Sequence, residues 1–151
     1  MLILESFQAG LSWECILNKR ENFRSAFDGF DIDRICDYDE AKLNELAADA
    51  GIVRNRLKIR AAVSNAKIFR EIVSEYGCFW NYLKSFSGDR VFYEVNRATN
   101  ALSDAISADL KKRGMKFAGS TIIYAYLQAI GVINSHEEGC FLYSKNETTE
   151  A

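Results

Sequence analysis

From Ser12 onward the apolar positions Trp13, Ile16, Leu17, Phe23 and Phe27 recur at near-helical spacing, with Lys19, Arg20 and Arg24 among the polar positions between them. This pattern predicts a helix that ends at Asp28-Gly29-Phe30-Asp31. Ahead of it, Leu2-Ile3-Leu4 reads as the end of a buried helix, yet Glu5 follows at once and Gly10 breaks the run before Leu11-Ser12-Trp13. Short helices are predicted around Asp31 to Cys36 and Asp39 to Ala50, the second closed by Gly51 as a C-terminal glycine cap. Asn55 can cap a longer helix on which Ile59, Ala62, Val63, Ala66, Phe69 and Val73 share a face until Gly77. Phe79, Tyr82, Leu83 and Phe86 mark one more. Val91-Phe92-Tyr93 could be extended, but a single such piece makes no sheet by itself.

In the last third, Ser103 is placed to cap a helix through Leu110 and Lys112, and Gly114 stops it. A second helix from Thr121 to Ile130, closed by Gly131, is apolar on nearly every face and is expected to be the central core helix. The chain reads as all-α: one domain over residues 1–144, followed by a polar tail, 145–151.

Composition narrows the class. With 48% hydrophobic and 26% charged residues this is the make-up of a soluble globular protein, and no apolar run approaches the roughly 18 to 20 residues needed to cross a bilayer. Met1-Leu-Ile-Leu is too short and lacks the basic flank of a signal peptide, so a cytoplasmic chain is expected. Cys15, Cys36, Cys78 and Cys140 form no C-x-x-C pair and read as reduced thiols. A net charge of −2 argues weakly against a nucleic-acid partner. The average hides clusters at Lys19-Arg20, Arg54 to Arg60, and Lys111-Lys112-Arg113 with Lys116, which by themselves read as solvated helix ends.

The two last helices form a glycine-bounded hairpin, which can be a packing device and no more. It also has phosphate-binding chemistry: Gly119 precedes a helix start whose free N–H groups and dipole favour an anion. Lys112 and Lys116, with Gly119, Ser120 and Thr121, would then grip a DNA backbone without regard to sequence.

Several segments together resemble one family. They are ESFQAGLSW at Glu5 to Trp13, LNKRENFRSAF at Leu17 to Phe27, AGIVRNRLKI at Ala50 to Ile59, LKKRGMKFAGST at Leu110 to Thr121, and GVINSHEEGC at Gly131 to Cys140. In this order they resemble the type I 3-methyladenine DNA glycosylases, members of the helix-hairpin-helix superfamily of base-excision enzymes. The resemblance implies that superfamily's all-α glycosylase fold and hydrolysis of the N-glycosidic bond of 3-methyladenine in double-stranded alkylated DNA. It implies that Glu5 accepts hydrogen bonds from the flipped base and that Trp13 stacks on it. Gln8, Gly10, Leu11 and Ser12 would form the turn that probes the gap left in the DNA, with Leu11 as its apolar plug. On the residues alone, Glu5 reads as a surface helix residue, Leu11 as a staple and Trp13 as core.

No lysine falls within the pocket motif, so no Schiff base is expected, and the lysines are assigned to DNA-facing patches. Many members of the superfamily that the chain resembles carry a catalytic aspartate after the second hairpin helix; here Val132-Ile133-Asn134-Ser135-His136 contains none and the carboxylates Glu137 and Glu138 come later, so Glu5 is the better candidate for the essential carboxylate. The resemblance also implies a structural zinc ion, of whose site His136 and Cys140 match half. The family's N-terminal segment, with the other Cys and His, has no counterpart ahead of Met1, so a complete site and tightly held zinc are not expected. The same difference predicts exposed apolar groups near Leu2, Phe7 and Trp13 and self-association, where the family's full protein is expected to be a monomer. A catalytically impaired helix-hairpin-helix DNA-binding module is the alternative function.

Overall fold

The computed structural model describes residues 1–143; the predicted polar tail lies outside the described residues. Among the described residues the α-helices are, in order, α1 (Leu2–Gln8), α2 (Trp13–Asn18), α3 (Arg20–Ala26), α4 (Ile32–Cys36), α5 (Glu40–Ala48), α6 (Arg56–Tyr76), α7 (Phe79–Ser87), α8 (Ala101–Lys112) and α9 (Ser120–Ala129). Polar caps set most of the starts. Asp31, Asp39 and Asn55 each accept a hydrogen bond from the backbone N–H three residues on, and Gly77, at φ +80°, releases the chain from α6.

Several boundaries depart from the pattern. The helix expected from Ser12 to Phe27 is two helices, split at Lys19, whose Nζ reaches across to the carbonyls of Ala50 and Gly51. Leu17 is exposed and belongs to no core. Gly51 is no left-handed cap: α5 ends at Asp49 in extended conformation, and the Asp49 carboxylate accepts from the Gly51 N–H at 2.7 Å. Gly51 is small for a different reason, since a Cβ there would meet Asp49 Oδ1 at 2.9 Å. The cap of α8 is Asn100, with Ser103 completing a reciprocal capping box from inside the helix. The extended piece Phe92–Tyr93 (β1) finds a partner that the pattern did not offer, Ile133–Asn134 (β2), in parallel pairing.

Two hydrophobic cores divide the molecule. One gathers Phe7, Ile16, Phe23, Phe27, Ile35 and Leu46, in which Phe7 meets the edge of Phe23 at 4.7 Å between ring centroids. The other gathers Ile72, Tyr82, Leu83, Ile106, Leu110, Ile123 and Leu127. α6 runs through both, giving Ile59, Ala62, Val63 and Ala66 to the first and Ile72 to the second. The central helix is therefore α6. α9 buries Ile123, Tyr124 and Leu127 but leaves Ile122, Ala125 and Tyr126 half-buried and Thr121 exposed, because its main packing partners are α1, α8 and β2, with Phe79 of α7 reaching only the Tyr126 ring, 6.3 Å between centroids. The expected apolar patch is also smaller than predicted: Phe7 is fully buried, and Leu2 and Trp13 are half-buried.

Candidate active site

α1 lies at the seam between the cores. Leu4 and Phe7 enter the first, Leu2 packs on the second, and the helix touches α2, α6 and α9. This packing carries Glu5 inward: the residue is 1% exposed, and its Oε2 is buried without a hydrogen-bond partner among the described residues. A surface position for Glu5 is ruled out. Burial pushes its pKa from the ordinary 4.5 up to about 7, against the opposing pull of the N-terminal ammonium. From α9, Tyr126 faces the same region, and its phenol is pushed up to about 12 by burial first and by the Glu5 charge second. The half-buried side of α9 thus borders Glu5. A buried carboxylate oxygen with no partner, beside a phenol, is suited to accept hydrogen bonds from something that enters.

After α1 the chain turns sharply. Ala9 leaves the helix, Gly10 takes φ +79°, and the Leu11 N–H closes on the Gln8 carbonyl at 2.7 Å. Gln8 Nε2 donates to the Leu11 carbonyl at 2.8 Å, and Ser12 Oγ caps α2 by accepting from the Cys15 N–H. The turn presents Leu11 outward, 37% exposed, with Trp13 half-buried behind it. Sequence reasoning placed Gln8, Gly10, Leu11 and Ser12 together, and they do form one self-bonded turn.

The hairpin between α8 and α9 is built as tightly. Gly114, at φ +97°, closes α8 with Met115 N–H on the Leu110 carbonyl and its own N–H on that of Lys111. Asn65 of α6 brackets Lys116, accepting from its N–H and donating to its carbonyl, each at 2.8 Å. Ser107 Oγ donates to the Ala118 carbonyl at 2.7 Å. Gly119 starts α9 without a side-chain cap, and nothing stands within 4 Å of where its Cβ would be. Lys112, Lys116 and Thr121 are exposed around it, and Ser120 is half-buried. Arg113 is not available to a partner, since it is ion-paired with Asp109 and Glu75 and stacked on Tyr76 and Tyr82.

One assignment is overturned. Lys58 does not belong to a DNA-facing patch; it is 7% exposed, and its Nζ donates to the carbonyls of Phe7, at 2.8 Å, and Ala9. Its helical phase was the available signal, because Lys58, Ala61, Ala62 and Asn65 form a buried stripe on α6. Tyr126 and Asn65 were missed for the same reason, as helix-phase neighbours of apolar positions.

His136 and Cys140 do come together, with Sγ 3.4 Å from Nδ1. They are suitable zinc donors, but among the described residues no third His, Cys, Asp or Glu joins them. The described residues therefore do not fit a closed zinc site. A cavity of about 150 Å³ opens on the other face of α1, lined by Leu2, Ile3, Ser6, Phe30, Asn65 and Phe69. It is mainly apolar, and none of its lining residues carries a carboxylate.

Comparison with known proteins identifies the family. The family profile described as methyladenine glycosylase matches residues 1–143. DNA-3-methyladenine glycosylase 1 of Escherichia coli is 40% identical over 154 residues, spanning 97% of this chain and 82% of that protein. A crystal structure of 3-methyladenine DNA glycosylase I superposes with a TM-score of 0.88 at 38% identity, covering 95% of this chain and 82% of that one. A variant of 3-methyladenine DNA glycosylase I solved in complex with 3-methyladenine gives a TM-score of 0.87 at 30% identity, covering 92% and 78%. With its profile matched from end to end of the described residues, the chain belongs to the methyladenine glycosylase family.

Proposed function

We propose that this protein is a monofunctional DNA N-glycosylase that removes 3-methyladenine from alkylated double-stranded DNA. The observation that carries the reading is the buried, partnerless Oε2 of Glu5 at the seam of the two cores. Methylation at N3 leaves adenine cationic, so its glycosidic bond is already weakened and strong acid catalysis is unnecessary. The protein must extrude the nucleotide, hold the base and favour its charge. Glu5 accepts hydrogen bonds from the base, and ionised Glu5 discriminates the cation from ordinary adenine. Trp13 supplies an aromatic face for stacking. Water then replaces the base at the sugar carbon, and the products are free 3-methyladenine and an abasic site.

DNA is held in two places. Leu11, on the turn Gln8 to Ser12, fills the gap left by the base, and Gly10 allows the backbone to approach the duplex. At the hairpin, the uncapped N–H groups from Gly119 through Thr121 take a phosphate, helped by Lys112 and Lys116. The free thiols support a reducing, cytoplasmic setting. The test is release of 3-methyladenine from methylated duplex by the wild-type chain and by Glu5→Gln. Rapid release by the first, slowed 10- to 100-fold, on the order of 1.4 to 2.7 kcal/mol in the barrier, by the second is the expected outcome. Equal rates would remove Glu5 from the chemistry.

A further inference from the structure

Lys58 stands two residues inside the start of α6, a place where a lysine ordinarily reaches into solvent, yet its ammonium is turned inward. There it closes the carbonyl end of α1 through Phe7 and Ala9, where orphan carbonyls and the helix dipole favour a cation. Burial lowers its pKa, and a buried ammonium carries a desolvation cost that an apolar residue would avoid. On its other side the Phe117 ring lies 5.7 Å from Nζ. Phe117 sits in the hairpin turn at φ +54°, next to the Lys116 that Asn65 brackets. Lys58 and Asn65 are seven residues, about two turns, apart on α6, so one helix face holds both DNA-facing turns.

We propose that Lys58 is a positioning residue for base extrusion: it fixes the turn that carries Leu11 and ties it to Phe117, so that the phosphate gripped at the hairpin sets where Leu11 enters the duplex. This rests on the reading of Gln8 to Ser12 as the gap-filling turn. The ammonium's donors converge on carbonyls on either side of Gln8, whose own carbonyl is closed by Leu11 N–H. With those bonds removed, the turn keeps its internal closure but loses its fixed attachment to α6 and to the hairpin.

The test is single-turnover release of 3-methyladenine at saturating protein, for wild type, Lys58→Met, Leu11→Ala and the double variant, with binding to undamaged duplex measured beside it. Met keeps the length and apolar stem of Lys and deletes its donors. Lys58→Met should slow release by about 10- to 100-fold while duplex affinity changes by less than about threefold. The double variant should be within about threefold of the slower single variant, because both substitutions disable one device; a general structural lesion would multiply with Leu11→Ala. Lys58→Gln, which is shorter but keeps N–H donors, carries the same non-additivity if Lys58→Met does not fold. Unchanged release in Lys58→Met, or fully multiplicative losses, overturns the proposal. Failure of the reading beneath it looks different: wild-type protein that releases no base, or Leu11→Ala as fast as wild type, overturns both.

Discussion

Glu5 shows how one residue can set stability and function against each other. The native carboxyl keeps its proton up to about pH 7, whereas the unfolded chain releases it near the ordinary 4.5. Between those values the native state binds more protons, so stability contributed by the protonated form is present at low pH and is lost as pH rises through about 7. The displacement corresponds to about 3 kcal/mol. Glu5→Gln keeps the shape and removes the charge, so it should match wild-type stability near pH 4.5 and exceed it by up to about 3 kcal/mol at pH 8. Thermal unfolding at the two pH values is the measurement, and a gap that does not grow with pH would refute a buried ionisation. The release rate at subsaturating DNA should change in the opposite sense, rising through about pH 7 as Glu5 ionises and staying flat in the Gln protein. Met1 alters the balance only in part, since its ammonium lowers the Glu5 pKa against the larger effect of burial.

At the scale of elements, the hairpin separates cations that touch a partner from those that hold the fold. Charge reversal at Lys112 or Lys116, both exposed, should weaken binding to every duplex alike and reduce the salt slope by about 1 for each phosphate left without its cation. Affinity measured at two or more salt concentrations decides it; an unchanged slope removes that lysine from the footprint. Arg113→Ala should leave the slope alone and cost about 1 to 3 kcal/mol in stability, because it strips Asp109 and Glu75 of their cation. A changed slope with unaltered stability would reverse that assignment. Adjacent residues in KKRG thus have opposite roles, and the sequence alone could not divide them: charge is local, but Asp109, Glu75 and Tyr82 arrive from three helices. The cap at Asn55 was legible, as were helix starts near Asp31 and Asp39, because the bonds that make them span three residues. The β1 to β2 pairing was not, because two-residue strands some forty positions apart leave no periodicity to read. Lys58 was misjudged through its cationic neighbours Arg54, Arg56 and Arg60, all exposed, although its phase on α6 pointed inward.

The whole molecule is two cores sharing one helix, and that explains both where Glu5 sits and how the protein should unfold. α1 fits the seam because its alternate faces serve different cores, and a carboxylate at that seam is shielded by both without belonging to either. The seam is incompletely filled, as the cavity of about 150 Å³ beside α1 shows, so the cores meet chiefly through α6 and α1. If they were independent, a lesion in one would leave the other's transition in place. α6 makes independence costly: unfolding either core strands apolar residues of the same helix, Ile59, Ala62 and Ala66 on one side and Ile72 on the other. Phe23→Ala in the first core and Ile72→Ala in the second, both at fully buried positions, should therefore each lower one common transition, by about 3 to 5 and 2 to 5 kcal/mol. Calorimetry beside far-UV and tryptophan signals is the check, with Trp13 reporting on the first core and Trp80, on α7, reporting near the second. Two separated transitions in either variant would mean that α6 does not join the cores into one cooperative unit, and the seam that shields Glu5 could then open without global unfolding.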